Sequence, residues 1–261
     1  MRQPTRKDVY YENGQIKDKG HNPDAEPLPE YEVPPALKSG AYIDELAGDG
    51  SDHVLNKAQT TYQTAHRRWK ALEDLRETQD PRETRAAHLE RLYSVANTNR
   101  QNTFKAIDNS RKEITQAAKK VEQQALESMG LAVDRIGAAE VRSAFKGLSE
   151  AERREYVSQA IAEQDTALLS AVINAPHAVS VGLKNQAELE AVRERILGTL
   201  CPGAKQRRDA YKKAHDRLLS LTEAWLENED NLTCRELREQ YQKKSDKAAE
   251  AGKAVEEGMR W

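Results

Sequence analysis

Apolar positions recur at three- and four-residue spacing through most of this chain, and that period predicts helices. The cleanest stripe is Leu55, Ala58, Tyr62, Ala65, Trp69, Leu72 and Leu75, with Ser51 and Asp52 placed to cap it and an end near Thr78. A second helix is predicted over 82–129. It follows Asp80-Pro81, a carboxylate cap with proline in the first turn, has no internal Gly or Pro, and stops at Gly130. At 1.5 Å per residue it would reach roughly 70 Å, longer than a domain of this size is wide. Its seam is Phe104, Ile107, Ile114, Ala118, Val121 and Ala125, interrupted by Arg100 and Arg111. Heptad spacing of this kind faces a partner helix. The short Asp80-Pro81 connection makes the two helices antiparallel neighbours, a long helical hairpin.

Beyond Gly130 the helices become short and punctuated. Ser149 and Glu152 form a capping box, Asp165 caps a turn carrying Leu168, Leu169, Val172 and Ile173, and Asn174-Ala175-Pro176 ends it. A further helix is predicted over 186–197, before Cys201-Pro202-Gly203. From 204 onward long helix returns, with Tyr211, His215, Leu218, Leu221 and Trp225 on one face, a break at 228–231, and a last helix through Leu232, Leu237, Tyr241 and Ala248 that frays toward Trp261 unless it docks.

The first 35 residues are a different material. Six prolines, at 4, 23, 27, 29, 34 and 35, favour extended chain over helix. Within them Tyr10-Tyr11-Glu12-Asn13-Gly14-Gln15-Ile16-Lys17 predicts a β-hairpin, because Asn-Gly readily supplies the two positive-φ residues of its turn. A short helix is expected over 36–46. The arm is expected to wrap a neighbouring subunit, gaining order as it binds.

Composition sharpens this picture. Apolar residues make only 38% of the 261 and charged residues 32%, a balance suited to long helices rather than to one thick core. The 41 basic and 43 acidic residues leave a net charge of −2, so no bulk attraction to nucleic acid or membrane follows. Two cysteines, Cys201 and Cys234, are too few for a disulfide framework. No apolar run is long enough to span a bilayer, and the N-terminus lacks the apolar core of a signal peptide.

Candidate chemistry is sparse. None of the six histidines pairs with another at helical metal-site spacing, and no phosphate-binding glycine loop, nucleophile elbow or Cys-x-x-Cys occurs. His66 and His88 lie on opposite arms of the hairpin, so antiparallel packing could let them approach in space. No catalytic, metal or cofactor residue is nominated. Two basic clusters, one around Arg100–Lys120 and one of Lys205, Arg207, Arg208, Lys212, Lys213 and Arg217, each carry about +4 after nearby carboxylates are counted. Arg207, Arg208, Lys212 and Lys213 are the candidate nucleic-acid contacts, through phosphate charge. Candidate interface residues are Tyr10, Tyr11, Asn13 and Gly14 of the arm, Phe104, Ile107, Ile114 and Val121 of the seam, and Trp261.

Two resemblances bear on function. The segments Glu140–Phe145, Leu148-Ser149-Glu150-Ala151-Glu152-Arg153, Ala160–Asp165 and Ala171–Pro176 together resemble a module of uncharacterised helical proteins of bacteriophages and prophages. Gln164 stands where that module has glycine, and Asn174 also departs from it. The Tyr-Tyr-x-Asn-Gly stretch resembles one copy of a MORN-like β-hairpin repeat; such repeats stack in several copies, and no function is carried over from one.

The expected fold is therefore all-α and elongated: an extended arm with a short β-hairpin (1–35), a long helical hairpin (36–130), a compact small helical bundle (131–203) and a C-terminal helical pair (204–261). The expected function is non-enzymatic, a structural subunit of a bacteriophage virion in an internal, portal-proximal or head–tail position. It would be made in the host cytoplasm, and its partners would be further copies of itself and other virion proteins. A scaffolding protein is the near alternative, and a helical nucleic-acid-associated protein the more distant one.

Overall fold

A computed structural model of the protein describes residues 9–12, 15–18, 28–38, 50–80 and 82–259. Among them are eight α-helices: α1 (His53–Glu77), α2 (Arg85–Ser128), α3 (Ala138–Gly147), α4 (Glu150–Glu163), α5 (Thr166–Ile173), α6 (Gln186–Leu200), α7 (Pro202–Leu232) and α8 (Arg235–Gly258). Two four-residue strands, β1 (Val9–Glu12) and β2 (Gln15–Asp18), pair antiparallel with Val9 opposite Asp18 and Glu12 opposite Gln15. The Asn13-Gly14 turn lies outside the described residues, as do Pro81, Trp261 and most of the helix expected over 36–46. Pro35–Leu37 within that range forms a single 3-10 turn.

The helix starts follow from side-chain oxygens that take up free backbone N–H groups. Asp52 Oδ1 accepts from Val54 and Leu55 at 2.9 and 3.2 Å and opens α1. Ser149 and Glu152 complete a reciprocal capping box on α4, and Asp165 accepts from Ala167 and Leu168 at the start of α5. α2 begins three residues later than the Asp80-Pro81 signature suggests. Thr84 Oγ1 accepts from the Ala87 N–H at 3.2 Å, while Asp80 is taken up by the backbone and guanidinium of Arg82. α7 also differs from expectation: it starts on Pro202 and runs through 228–231 without a break. The chain turns instead at Cys234, which adopts the left-handed conformation (φ 49°, ψ 49°).

The chain falls into two compact units. Unit 1 comprises residues 1–40, 62–106 and 220–261; unit 2 comprises 41–61 and 107–219. In unit 1, Trp69 and Trp225 are fully buried and meet edge to face, centroids 4.9 Å apart. Phe104 approaches Trp225 at 6.3 Å in the same geometry. The proline-rich segment 28–38 belongs to this unit's packing rather than lying free of it. Trp69 Nε1 donates to Tyr31 Oη at 2.9 Å and to Glu73 at 3.0 Å, Tyr62 Oη donates to the Ala36 carbonyl at 3.1 Å, and Leu37 is buried. Arg76 donates to the Pro29 carbonyl and lies over the Tyr31 ring, 5.4 Å from its centroid. Burial pushes the Tyr31 hydroxyl well above its ordinary pKa.

Unit 2 has a mainly aliphatic core of Leu131, Val157, Ile161, Leu169, Val172, Leu189 and Ile196 with the Phe145 ring among them, all contributed by α3–α6 and the loops beside them. Leu55 and Ala58 of α1, Ile107 and Ile114 of α2, and Tyr211 and Leu218 of α7 are buried in the same unit. Asp52 ties α1 to α7 there. Its Oδ2 accepts from Tyr211 Oη at 2.6 Å and Arg207 Nε at 2.8 Å. Burial works to raise the Asp52 pKa, but those two bonds, the Leu55 N–H and the Arg207 charge hold it below its ordinary value.

Candidate functional site: an exposed helix and the basic faces

The start of α8 is anchored within unit 1. Leu232, Thr233 and Cys234 are buried, and Arg238 sits on the Tyr93 ring, 3.5 Å from its centroid, with Glu90 3.7 Å from its guanidinium. From Glu239 onward every described side chain is exposed except half-buried Tyr241. Intrahelical pairs such as Arg235–Glu239 and Gln242–Asp246 support the helix locally, each worth only a few tenths of a kcal/mol.

One face of this helix carries Tyr241, Ser245, Ala248, Gly252, Val255 and Met259, a strict four-three alternation. Val255 and Met259 are 56% and 80% exposed. Charge is split along the same segment. Residues 241–247 hold three lysines and one aspartate, net +2; residues 248–259 hold one lysine and three glutamates, net −2. Sequence reading alone passes over this stripe because its central members are Ser, Ala and Gly, which a hydrophobicity count ignores.

The residues nominated from sequence fall in different settings. Ile107 and Ile114 are buried by the chain's own packing, whereas Phe104 and Val121 are half-buried. Tyr10 and Tyr11 lie in β1; Asn13, Gly14 and Trp261 are outside the described residues. The arginines that interrupt the seam have partners. Arg100 donates to Glu229 at 3.2 Å and to Asn97 at 2.6 Å, and Arg111 Nε donates to His215 Nε2 at 3.2 Å. The Arg100 partner is itself buried: desolvation raises the Glu229 pKa, and the Arg100 charge opposes that rise.

The second basic cluster divides in two. Arg207 is engaged by Asp52, and Arg208 by Glu122 and Glu194, so a phosphate would have to compete with carboxylates already in place. Lys212 and Lys213 are exposed and have no carboxylate partner among the described residues. His66 and His88 are not brought together. Burial lowers the His66 pKa against the opposing influence of the Ala36 and Leu37 backbone; His88 is buried against the Arg76 carbonyl, 3.2 Å away. Among the described residues no group of three or more His, Cys, Asp or Glu could hold a metal ion, and no helix is long and apolar enough to cross a membrane.

No protein-family model matches the chain, and no curated protein or solved structure matches it either.

Proposed function

We propose that this chain is a non-enzymatic structural subunit of a macromolecular assembly, and that α8 is the face through which it joins a second copy of itself. The observation that carries the reading is the exposed heptad stripe beyond Tyr241. A helix owes most of its stability in a protein to packing of one face, and from Gln242 to Met259 every described side chain of α8 and its end is exposed. Antiparallel pairing of two α8 helices sets Tyr241 against Met259, Ser245 against Val255 and Ala248 against Gly252. The small central residues let the backbones approach closely. The same orientation sets each +2 half beside a −2 half, which a parallel pair would not do. The buried and half-buried polar groups support a structural reading too: Asp52, Tyr31 and Glu229 each hold one segment of the chain to another.

Within that class we place the protein in a bacteriophage particle, as an internal, portal-proximal or head–tail component, with a scaffolding protein as the near alternative. This placement rests on the resemblance of 140–176 to the phage and prophage module. It implies synthesis in the host cytoplasm followed by incorporation into the virion, beside other virion proteins.

Light scattering on the purified full chain tests the α8 pairing. A dimer or higher multimer is expected, reduced to monomer by Ala248→Asp with Gly252→Asp, at positions too exposed to disturb the fold. Glu256→Lys with Glu257→Lys should also weaken it, and adding Lys243→Glu with Lys244→Glu should restore it. A wild-type monomer at all concentrations, or a multimer indifferent to the two aspartates, refutes the pairing.

A further inference from the structure

Unit 2 contains a cavity of about 180 Å³ between α3, α4 and α6. Its apolar lining is Phe145 from α3, Val157 from α4, Leu183 from the loop before α6, and Ala191 and Val192 from α6. An apolar cavity of about 150 Å³ is enough to admit benzene. The rim is charged: Arg153, Arg154 and Arg195 stand against Glu150 and Glu188. Those five groups sum to +1, and the positive charge is not evenly engaged.

Arg154 is paired with Glu150, which Lys184 also contacts at 3.1 Å. Glu188 accepts the Lys184 backbone N–H at 2.9 Å. Arg195 donates to Ser158 Oγ at 2.7 Å, and Arg153 donates to the Leu148 carbonyl at 2.6 Å and the Lys146 carbonyl at 3.3 Å. Neither Arg153 nor Arg195 forms a close ion pair with a carboxylate among the described residues, although the Arg153 charge, after those of Lys184 and Arg154, helps hold the Glu150 carboxyl below its ordinary value. The Nε of Arg153 is buried and lacks any hydrogen-bond acceptor. Arg153 is held in place by close backbone: a Cβ on Gly182 (φ +70°) would sit 2.6 Å from its Nη1 and 3.0 Å from Lys146 Cα. A guanidinium fixed by carbonyls keeps its full charge, because carbonyl dipoles orient it without neutralising it.

We propose that this cavity is a binding site for a small apolar carboxylate, with a ring-sized apolar group against Phe145, Val157 and Val192 and the carboxylate toward Arg153 and Arg195. The complementarity is of two kinds. The floor offers apolar surface in a space of about 180 Å³, and the rim offers two arginines that are not taken up in an ion pair and can make charge-assisted hydrogen bonds. The site shares no residue with α8, so it stands or falls independently of the assembly reading.

Sodium benzoate is the probe, titrated into the full chain by calorimetry and followed by amide NMR shifts, with benzyl alcohol as its neutral counterpart. Saturable one-site binding of benzoate is expected, with shifts centred on Phe145, Val157 and Val192. Arg195→Met should weaken benzoate about tenfold and leave benzyl alcohol nearly unchanged, since only the charged bond is lost. Ala191→Leu, at an exposed lining position, should weaken both by filling the cavity. Melting curves of both variants establish that the fold persists. No saturable binding at millimolar benzoate overturns the proposal, and so does binding that neither variant alters.

Discussion

The largest buried side chains of unit 1 are two tryptophans in edge-to-face contact, and their neighbours include buried or half-buried polar groups: Glu73, Arg76, His88, Glu229 and Arg100. Unit 2 buries leucines, isoleucines and valines, with Phe145 among them, and closes its short helices with caps at Ser149, Asp165 and Asn185. A chain with only 38% apolar residues has two ways to make a core, and this protein uses both. Unit 1 sets two large rings among its buried leucines and alanines and recruits the segment 28–38 to pack beside Trp69. Unit 2 buries one large ring outside its aliphatic cluster, Tyr211, and spreads the rest of its burial over smaller side chains, each worth about 1.5–3 kcal/mol. Damage at one point should therefore be severe in unit 1 and moderate in unit 2.

Trp69→Ala is the harshest test of that contrast. It removes a fully buried ring and leaves Tyr31 and Trp225 without their partner, so a loss of about 3–5 kcal/mol is expected in denaturant melts. Ile196→Val, its counterpart in unit 2, should cost about 0.5–1.5 kcal/mol. Equal losses from the two would break the comparison.

Asp52→Ala comes next, at about 2–3 kcal/mol, because one carboxylate both caps α1 and accepts from Tyr211 and Arg207. Asp52→Asn keeps the cap and should cost less. The pH dependence carries a definite sign. Asp52 titrates below its ordinary 3.8 in the fold, so its contribution is complete above that value and is lost as pH falls through the folded pKa. The Asn variant should show a shallower fall in stability on that acid limb; an identical slope would mean that Asp52 is not stabilised as an anion.

The smallest effect has the opposite direction. Gln164 ends α4 in the left-handed conformation, φ 54° and ψ 41°, where a side chain is strained by about 1–2 kcal/mol. Gln164→Gly should raise the melting temperature, with a gain of about 1 kcal/mol after the added freedom of the unfolded glycine is subtracted. An unchanged or lower melting temperature would show that the Gln164 side chain compensates the strain.

The backbone at Gln164 is one that glycine suits. Local features were readable from sequence: the caps at Asp52, Ser149 and Asp165, the buried stripe from Leu55 to Leu72, and the stop at Gly130 all depend on neighbours within a few residues. What escaped depends on distant partners. Asn228-Glu229-Asp230-Asn231 looks like a helix break, but α7 runs through it, and within that stretch the Glu229 side chain is buried against Arg100 of α2. The proline-rich segment reads as an arm for a neighbouring subunit, whereas its residues 28–38 accept hydrogen bonds from Trp69 and Arg76 of the same chain. Thr84 was passed over because Asp80-Pro81, a few residues earlier, is an equally good start signal. The cavity at Phe145 is assembled from three helices and a loop, and no single stretch of sequence outlines it.

The placement of the tryptophans has an optical consequence. Trp69 and Trp225 are both buried in unit 1, unit 2 has tyrosines but no tryptophan, and Trp261 lies outside the described residues. With Trp261 changed to Phe, emission excited at the red edge of the indole band is thus a reporter of one unit, while far-ultraviolet dichroism weighs the helices of both. Heating the protein while recording the two signals together asks whether the units melt as one. Superimposed curves mean a single cooperative transition, and an emission change that leads or trails the dichroism means two.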